Sequence, residues 1–130
     1  MIDFSVNGNF DGTIKYLVKV RDMDFAKNLE KYGEMGVRAL QEATPKRTGK
    51  TANSWSYEIQ RTKDGLEIIW SNDNYGYYGG RDYYVPIAVL IQYGHGTRNG
   101  GYVKGIDYIN PAMRPIFEKI ADDVFKEIGK

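Results

Sequence analysis

The chain has 130 residues, with 18 lysines and arginines against 17 aspartates and glutamates, a formal net charge of +1. That length suits one domain with one core, and so even a balance argues against a free-standing nucleic-acid binder, which shows a clear basic excess. With no cysteine, disulfides, thiolate metal sites and cysteine nucleophiles are excluded. The N-terminal stretch MIDFSVNGNF reads as no signal peptide, and no window approaches the ~18 consecutive apolar residues of a membrane span. A cytosolic product without membrane contact is expected.

Residues 2–6 alternate Ile2, Phe4, Val6 before Asn-Gly-Asn, the pattern of a short strand and turn. Residues 11–21 fit two periods. Ile14, Tyr16, Val18 and Val20 alternate as in a strand, whereas Ile14, Leu17, Val18 and Arg21 suit a helix face. Residues 24–43 read as a helix, with Phe25, Leu29, Tyr32, Gly33, Gly36, Val37 and Leu40 in one stripe. Asp22 or Asp24 can cap it, and Pro45 stops it by forcing the preceding residue out of the α region. Gly33 and Gly36 weaken a helix, so they are expected to let another backbone come close.

Residues 53–60 alternate, with Trp55, Tyr57 and Ile59 on one side. After Asp64-Gly65, a tight-turn pair, Leu66, Ile68 and Trp70 alternate again, which predicts a β-hairpin. Residues 85–93, VPIAVLIQY, are a continuous apolar run, either a buried strand or a short buried helix. Residues 102–109 suggest a strand or extended segment. A second helix is predicted over 111–128, where Met113, Ile116, Phe117, Ile120, Ala121, Val124 and Ile128 recur at spacings of three and four. Asn110 can cap it and Pro111 sits where a missing N–H costs nothing. Pro115 suggests an irregular first turn or a later start. The expected fold is α+β over residues 1–130 as a single domain, a small antiparallel sheet packed against a long central helix and a C-terminal helix.

Motifs of phosphate chemistry fail on spacing. Thr48-Gly49-Lys50-Thr51 would end a P-loop only if position 44 were glycine, and it is Thr44. Gly94, Gly96 and Gly100 are one residue too far apart for a dinucleotide fingerprint. His95, the only histidine, has no serine elbow and no set of metal ligands around it in sequence. No enzyme, metal or cofactor is therefore expected. The stretch from Gly94 to Gly101 reads as a flexible loop carrying His95 and Arg98. Six of the eleven tyrosines fall in residues 75–93. Tyrosine offers a large amphipathic contact surface at low entropic cost, so Tyr75, Tyr77, Tyr78, Tyr83 and Tyr84, with Arg81, read as a contact surface, and His95 and Arg98 as a second one. A rival reading joins Lys46, Arg47, Lys50, Arg98, Lys104 and the tyrosines into a single-strand nucleic-acid interface.

Three segments, read in order, resemble one family. TPKRTGKTANSW resembles the P-x-x-T-G-x-L-x-x-S segment of the neck and tail-completion proteins that join head to tail in long-tailed bacteriophages and prophages, matching at Pro45, Thr48, Gly49 and Ser54. VLIQYGHGT resembles that family's V-E-x-G-T segment at Gly94, Gly96 and Thr97. INPAMRPIFEK resembles its closing segment at Pro111, Ala112 and Pro115. The usual leucine is Ala52 or Thr51 here, depending on alignment, and the usual glutamate is Gln92. The resemblance implies a non-enzymatic virion component made in the host cytoplasm. It would form a homo-oligomeric ring, sixfold by analogy, against other connector or tail proteins. Genomic DNA would pass through the lumen without specific binding.

Overall fold

The two-way reading of residues 11–21 is decided by tertiary pairing. In the computed structural model, which describes residues 12–18, 23–46, 49–78, 83–96 and 100–128, Thr13–Val18 is a strand, β1. Ile14, Tyr16 and Val18 are buried while Lys15 is exposed between them, the period of two of a half-buried strand. The strand expected at 2–6 and the capping side chains of Asp22 and Asp24 lie outside the described residues.

Helix α1, Met23–Ala43, follows. A single 3₁₀ turn at Ala52–Ser54 leads into β2, Trp55–Thr62, and the Lys63-Asp64 turn returns the chain as β3, Gly65–Asn72. The predicted hairpin is present, with Thr62 opposite Gly65 and Trp55 opposite Asn72. β1 pairs antiparallel along the other edge of β3, giving the order β1-β3-β2. The chain continues through β4, Tyr75–Tyr78, and β5, Tyr83–Pro86. Next come helix α2, Ile87–Tyr93, and two short strands, β6, Gly94–Gly96, and β7, Tyr102–Lys104. Helix α3, Ile109–Ile128, closes the described chain. The fold is α+β, with small antiparallel sheets and a C-terminal helix.

The apolar run 85–93 is thus split. Pro86, with extended backbone, ends β5, and the helix runs from Ile87 until Gly94 turns to positive φ and donates its N–H to the Leu90 carbonyl. α3 starts earlier than expected and runs unbroken through Pro115. Pro115 is exposed, so the intrahelical bond it removes leaves a carbonyl that water can reach.

Both long helices lie on one face of the three-stranded sheet, and the register explains why. Ile14, Trp70 and Tyr57 stand opposite one another across β1, β3 and β2, so they share that face. Phe117 of α3 stacks on Tyr16 at 5.2 Å between ring centroids and meets Trp70 at a tilt at 6.2 Å. α1 covers the other side of Trp70. The Trp70 indole N–H donates to the Gly33 carbonyl at 2.9 Å. The opposite face of the sheet carries exposed Lys15, Ser56, Glu58 and Gln60.

Gly33 and Gly36 do provide close approach, but to aromatic side chains and not to a backbone. A Cβ on Gly36 would lie 2.3 Å from Trp70 Nε1, and one on Gly33 would lie 2.2 Å from the Tyr57 ring. Trp70 is fully buried and cannot retreat. The C-terminal end of α1 is fixed by a second indole. The Thr44 hydroxyl donates to the Leu40 carbonyl at 2.5 Å and accepts the Trp55 indole N–H at 2.9 Å. The residue that breaks the P-loop pattern therefore ties the helix end to the first residue of β2. Between the helices, the Tyr32 hydroxyl donates to Asp123 Oδ2 at 2.6 Å, and Lys119 Nζ lies 3.3 Å from the same oxygen.

Gly36→Ala should destabilise the protein by about 1–3 kcal/mol through overpacking, even though alanine favours a helix by up to ~1 kcal/mol. Urea denaturation checks this, and an unchanged or raised midpoint would contradict the Trp70 contact. The Tyr32 hydrogen bond, and next Lys119, hold the Asp123 carboxyl below its ordinary value of 3.8. The folded state therefore binds this proton less readily than the unfolded chain. The pair's contribution is full above 3.8 and is lost as the pH falls through the lower folded value. Asp123→Asn should flatten the acid limb of stability below about pH 5, measured as urea midpoints against pH.

Candidate functional site

The tyrosine-rich stretch folds as a two-stranded arm. β4 and β5 pair with Tyr75 opposite Pro86 and Tyr77 opposite Tyr84. On one side of the arm, Tyr75 and Tyr84 stack diagonally at 5.4 Å, 20° from parallel. Tyr84 is 62% exposed and Tyr75 is exposed as well. On the other side the arm rests on α2, where a Cβ at Gly76 would lie 2.7 Å from Ile87 Cδ1. At the base of the arm, Pro86, opposite Tyr75, lies against Gly12, just before β1.

The base of the arm is held by a buried polar knot. Asn72 Nδ2 donates to the Thr51 carbonyl at 2.8 Å, and Asn74 Nδ2 donates to the Thr51 hydroxyl at 2.7 Å. The Asn74 N–H returns to Asn72 Oδ1 at 3.0 Å. Backbone bonds run from Asp73 to the Ser54 carbonyl and from Ile87 to the Asn74 carbonyl. Thr51, Asn72 and Asn74 are all buried. Losing any partner would leave a desolvated group unpaired, so the arm is fixed in direction where it leaves the sheet.

A second hairpin, β6–β7, stands where a flexible loop was expected. Gly94 pairs with Lys104, His95 with Val103 and Gly96 with Tyr102. Gly94 is not a source of mobility. It adopts φ +80°, and a Cβ there would lie 2.4 Å from the Val103 carbonyl oxygen. Gly105 packs against the junction of α2 and β6, where a Cβ would lie 2.5 Å from the Gln92 carbonyl oxygen. The Tyr102 hydroxyl donates to the Tyr93 carbonyl at 2.9 Å. Tyr102, Val103 and Ile106 all remain exposed.

Gln92 anchors this hairpin to α3 and caps the helix. Its buried Oε1 accepts the backbone N–H of Tyr108 and of Ile109, both at 3.1 Å. Its Nε2 donates to Asp107 Oδ1 at 2.7 Å. Asp107 also accepts from the Asn110 side chain and from the Asn110 backbone N–H. Pro111 has no N–H, and the first intrahelical bond runs from Ala112 to the Tyr108 carbonyl at 3.3 Å. All four donors that a helix start leaves free are thereby accounted for. The expected Asn110 cap is replaced by Gln92 and Asp107. The Gln92 bond, foremost, holds the Asp107 carboxyl below its ordinary value.

The residues singled out from sequence divide among these places. Pro45 follows the end of α1. Gly49, at φ +80°, accepts from the Asn53 N–H, and the Ser54 hydroxyl donates to the Lys50 carbonyl at 2.7 Å, which builds the turn into β2. The first motif thus meets the tyrosine arm, because Thr51 lies inside it. Gly94 and Gly96 lie in β6, and Pro111 and Ala112 in the first turn of α3, brought to the second hairpin by Gln92. Tyr77, Tyr78 and Tyr83 lie on the arm by backbone register. Arg47, Thr48, Arg81, Thr97 and Arg98 fall outside the described residues. His95 is half-buried, with Nδ1 3.1 Å from the carbonyl of its neighbour Gly96. Among the described residues no group of three or more histidines and carboxylates could hold a metal, and no helix is long and apolar enough to cross a membrane. Asn72, Asn74 and Gly105 were not singled out, and Gln92 was noted only as a departure from the usual glutamate, since a polar residue or glycine beside a turn carries no mark of burial.

Gln92→Leu is expected to cost about 1–3 kcal/mol by orphaning buried donors. Amide exchange should quicken first at Tyr108 and Ile109, and exchange there unchanged from wild type would refute the cap. No family model, no curated protein and no solved structure matches the chain.

Proposed function

We propose that the protein is a non-enzymatic structural subunit of a tailed-phage or prophage virion. It forms a ring at the head–tail junction or the end of the tail and touches the rings beside it. The observation that carries this reading is a pair of hairpins whose strands bear exposed aromatic and aliphatic side chains, each fixed at its base by a buried carboxamide network. Exposed apolar groups gathered on projecting elements mark protein–protein contact. Rigid mounting lowers the ordering cost of making that contact.

The family-like segments support the same reading. Gly49 and Ser54 build the turn that carries Thr51 into the arm's anchor, and Gly94, Pro111 and Ala112 surround the anchor of the second hairpin. The residues that carry the resemblance therefore serve to present the two hairpins. A near-neutral subunit also suits a ring around moving DNA, because a strongly basic lumen would hold the polymer.

In the virus or prophage that encodes the chain, shortening residues 75–84 should leave heads and tails unjoined and abolish infectivity. Mass spectrometry of purified wild-type virions should find the chain in several copies per particle. Normal yields of infectious tailed particles from the shortened variant, or absence of the chain from virions, would overturn the proposal. A chain absent from virions that binds single-stranded oligonucleotides with a steep salt dependence would favour the nucleic-acid reading.

A further inference from the structure

The three-stranded sheet has an open edge. β2 is paired on one side to β3 and on the other to no described strand. Its phase follows from one bond, in which the Asp73 N–H donates to the Ser54 carbonyl at 3.2 Å, one step beyond the Trp55–Asn72 pair. Bonded pairs alternate along an antiparallel ladder. The backbone of Ser56, Glu58 and Gln60 therefore bonds to β3, and that of Tyr57 and Ile59 points outward. Among the described residues nothing bonds to the backbone of Tyr57 or Ile59.

Sheet edges are commonly blunted by short strands, prolines or bulges. β2 has none of these. It runs for 8 residues, Trp55–Thr62, with no proline and an unbroken register against β3. An edge of this kind can take up a further strand by main-chain bonding, with the side chains choosing which strand.

Those side chains are complementary to a second β2. In antiparallel pairing of two copies, a two-fold axis through Ile59 sets Glu58 of each copy opposite Gln60 of the other, and Ser56 opposite Thr62, on the helix-free face. A carboxylate then faces a carboxamide that donates to it, and does so twice. Neither Glu58 nor Gln60 has a side-chain partner among the described residues.

On the helix side the same axis sets Tyr57 of each copy opposite Arg61 of the other. That place is acidic. The Tyr57 hydroxyl donates to Glu30 Oε2 at 2.8 Å. This bond foremost, and the charge of Glu34 besides, push the phenol up to about 12, so both carboxylates bear on the ring. Glu30 and Glu34 are exposed, and no cation pairs with either among the described residues. An arginine arriving opposite Tyr57 would lie on the phenol face beside two carboxylates. Other registers lose this match. An axis through Glu58 sets that carboxylate against its own copy, and one through Tyr57 or Gln60 shortens the overlap and takes Arg61 away from Tyr57.

We infer that β2 pairs with β2 of a second copy about a two-fold axis at Ile59, joining the two sheets into one. The contact is isologous, every pair occurring twice. It uses no residue of the two hairpins and does not rest on the virion reading. A two-fold pair and a cyclic ring need different contacts, so each can hold without the other.

Sedimentation of the purified full-length protein over a dilution series should show a reversible dimer. Gln60→Glu places a carboxylate opposite Glu58 twice and should weaken that dimer roughly tenfold. The substitution alters one exposed side chain, so the dilute monomer should keep the wild-type thermal midpoint. Glu58→Lys/Gln60→Glu should restore the dimer. The chain has no native cysteine. In Glu58→Cys/Gln60→Cys the facing Cα atoms would lie about 4.5 Å apart, so air oxidation should link the dimer covalently, and neither single variant should link. A monomer at every concentration, a dimer indifferent to Gln60→Glu, or a charge swap that fails to restore pairing would overturn the inference. A larger assembly indifferent to Gln60→Glu would overturn it and leave the ring reading standing. A monomer whose Tyr57 and Ile59 amides exchange as slowly as those of Ser56 and Glu58 would show the edge covered within one chain, which also overturns it.

Discussion

The fold depends on one side chain wedged into a notch. Trp70 lies in the middle of the central strand, flanked by Ile14 on β1 and Tyr57 on β2. Its indole enters the space that Gly36 leaves open and donates to the carbonyl of Gly33. Phe117 meets it from α3. Both long helices and all three strands are therefore located by the same buried ring. A one-residue slip of β3 would carry Trp70 to the polar face and put Ile69 or Ser71 in the notch, so the register has no near neighbour of similar energy. The two glycines weaken α1 on their own, and aromatic packing offsets that weakness only in this register.

Order is passed outward from this core through buried amides. The three-stranded sheet stops at Asn72, and α2 is only two turns long, so neither the arm nor the second hairpin can be held by regular structure alone. Asn72, Asn74 and Gln92 supply what the backbone lacks there. Asn72 and Gln92 use both ends of the carboxamide, and Asn74 uses its amide nitrogen, to tie neighbouring segments together. No buried side-chain polar atom among the described residues lacks a partner. Such networks tolerate no approximate geometry, because a half-satisfied amide costs more than an apolar residue in its place. The two elements with the most exposed aromatic and aliphatic surface are thus the ones whose roots are most strictly specified.

How much of this was legible in the chain follows from where each residue's reason lies. α1 and the β2–β3 hairpin were readable because long periodic stripes and an Asp-Gly turn act locally. Residues 13–18 were not, because both periods fit six residues and only pairing with β3 chooses between them. The apolar run 85–93 carries no period at all, and the role of Gln92 within it depends on Tyr108 and Ile109, sixteen and seventeen residues away. Gly94 looked permissive as one of several glycines near a lone histidine. It is instead a point of contact, since its partner Gly105 is distant in sequence and gives no sign of facing it. The family-like motifs were visible as residue types, but their task of anchoring two hairpins appears only once Thr51 meets Asn72 and Gln92 meets α3.

The choice of tyrosine on the exposed strands bears on how a ring of the proposed kind could handle DNA. A contact built from lysine and arginine would hold neighbouring proteins but would also add a positive field to any channel nearby, and duplex DNA binds such a field strongly at low salt. Tyrosine supplies comparable contact area with no net charge and few rotamers to freeze. On the proposed reading, adhesion between subunits and passage of the polymer are separated chemically. The arms carry the one as uncharged aromatic surface, and the even balance of acids and bases over the whole chain serves the other.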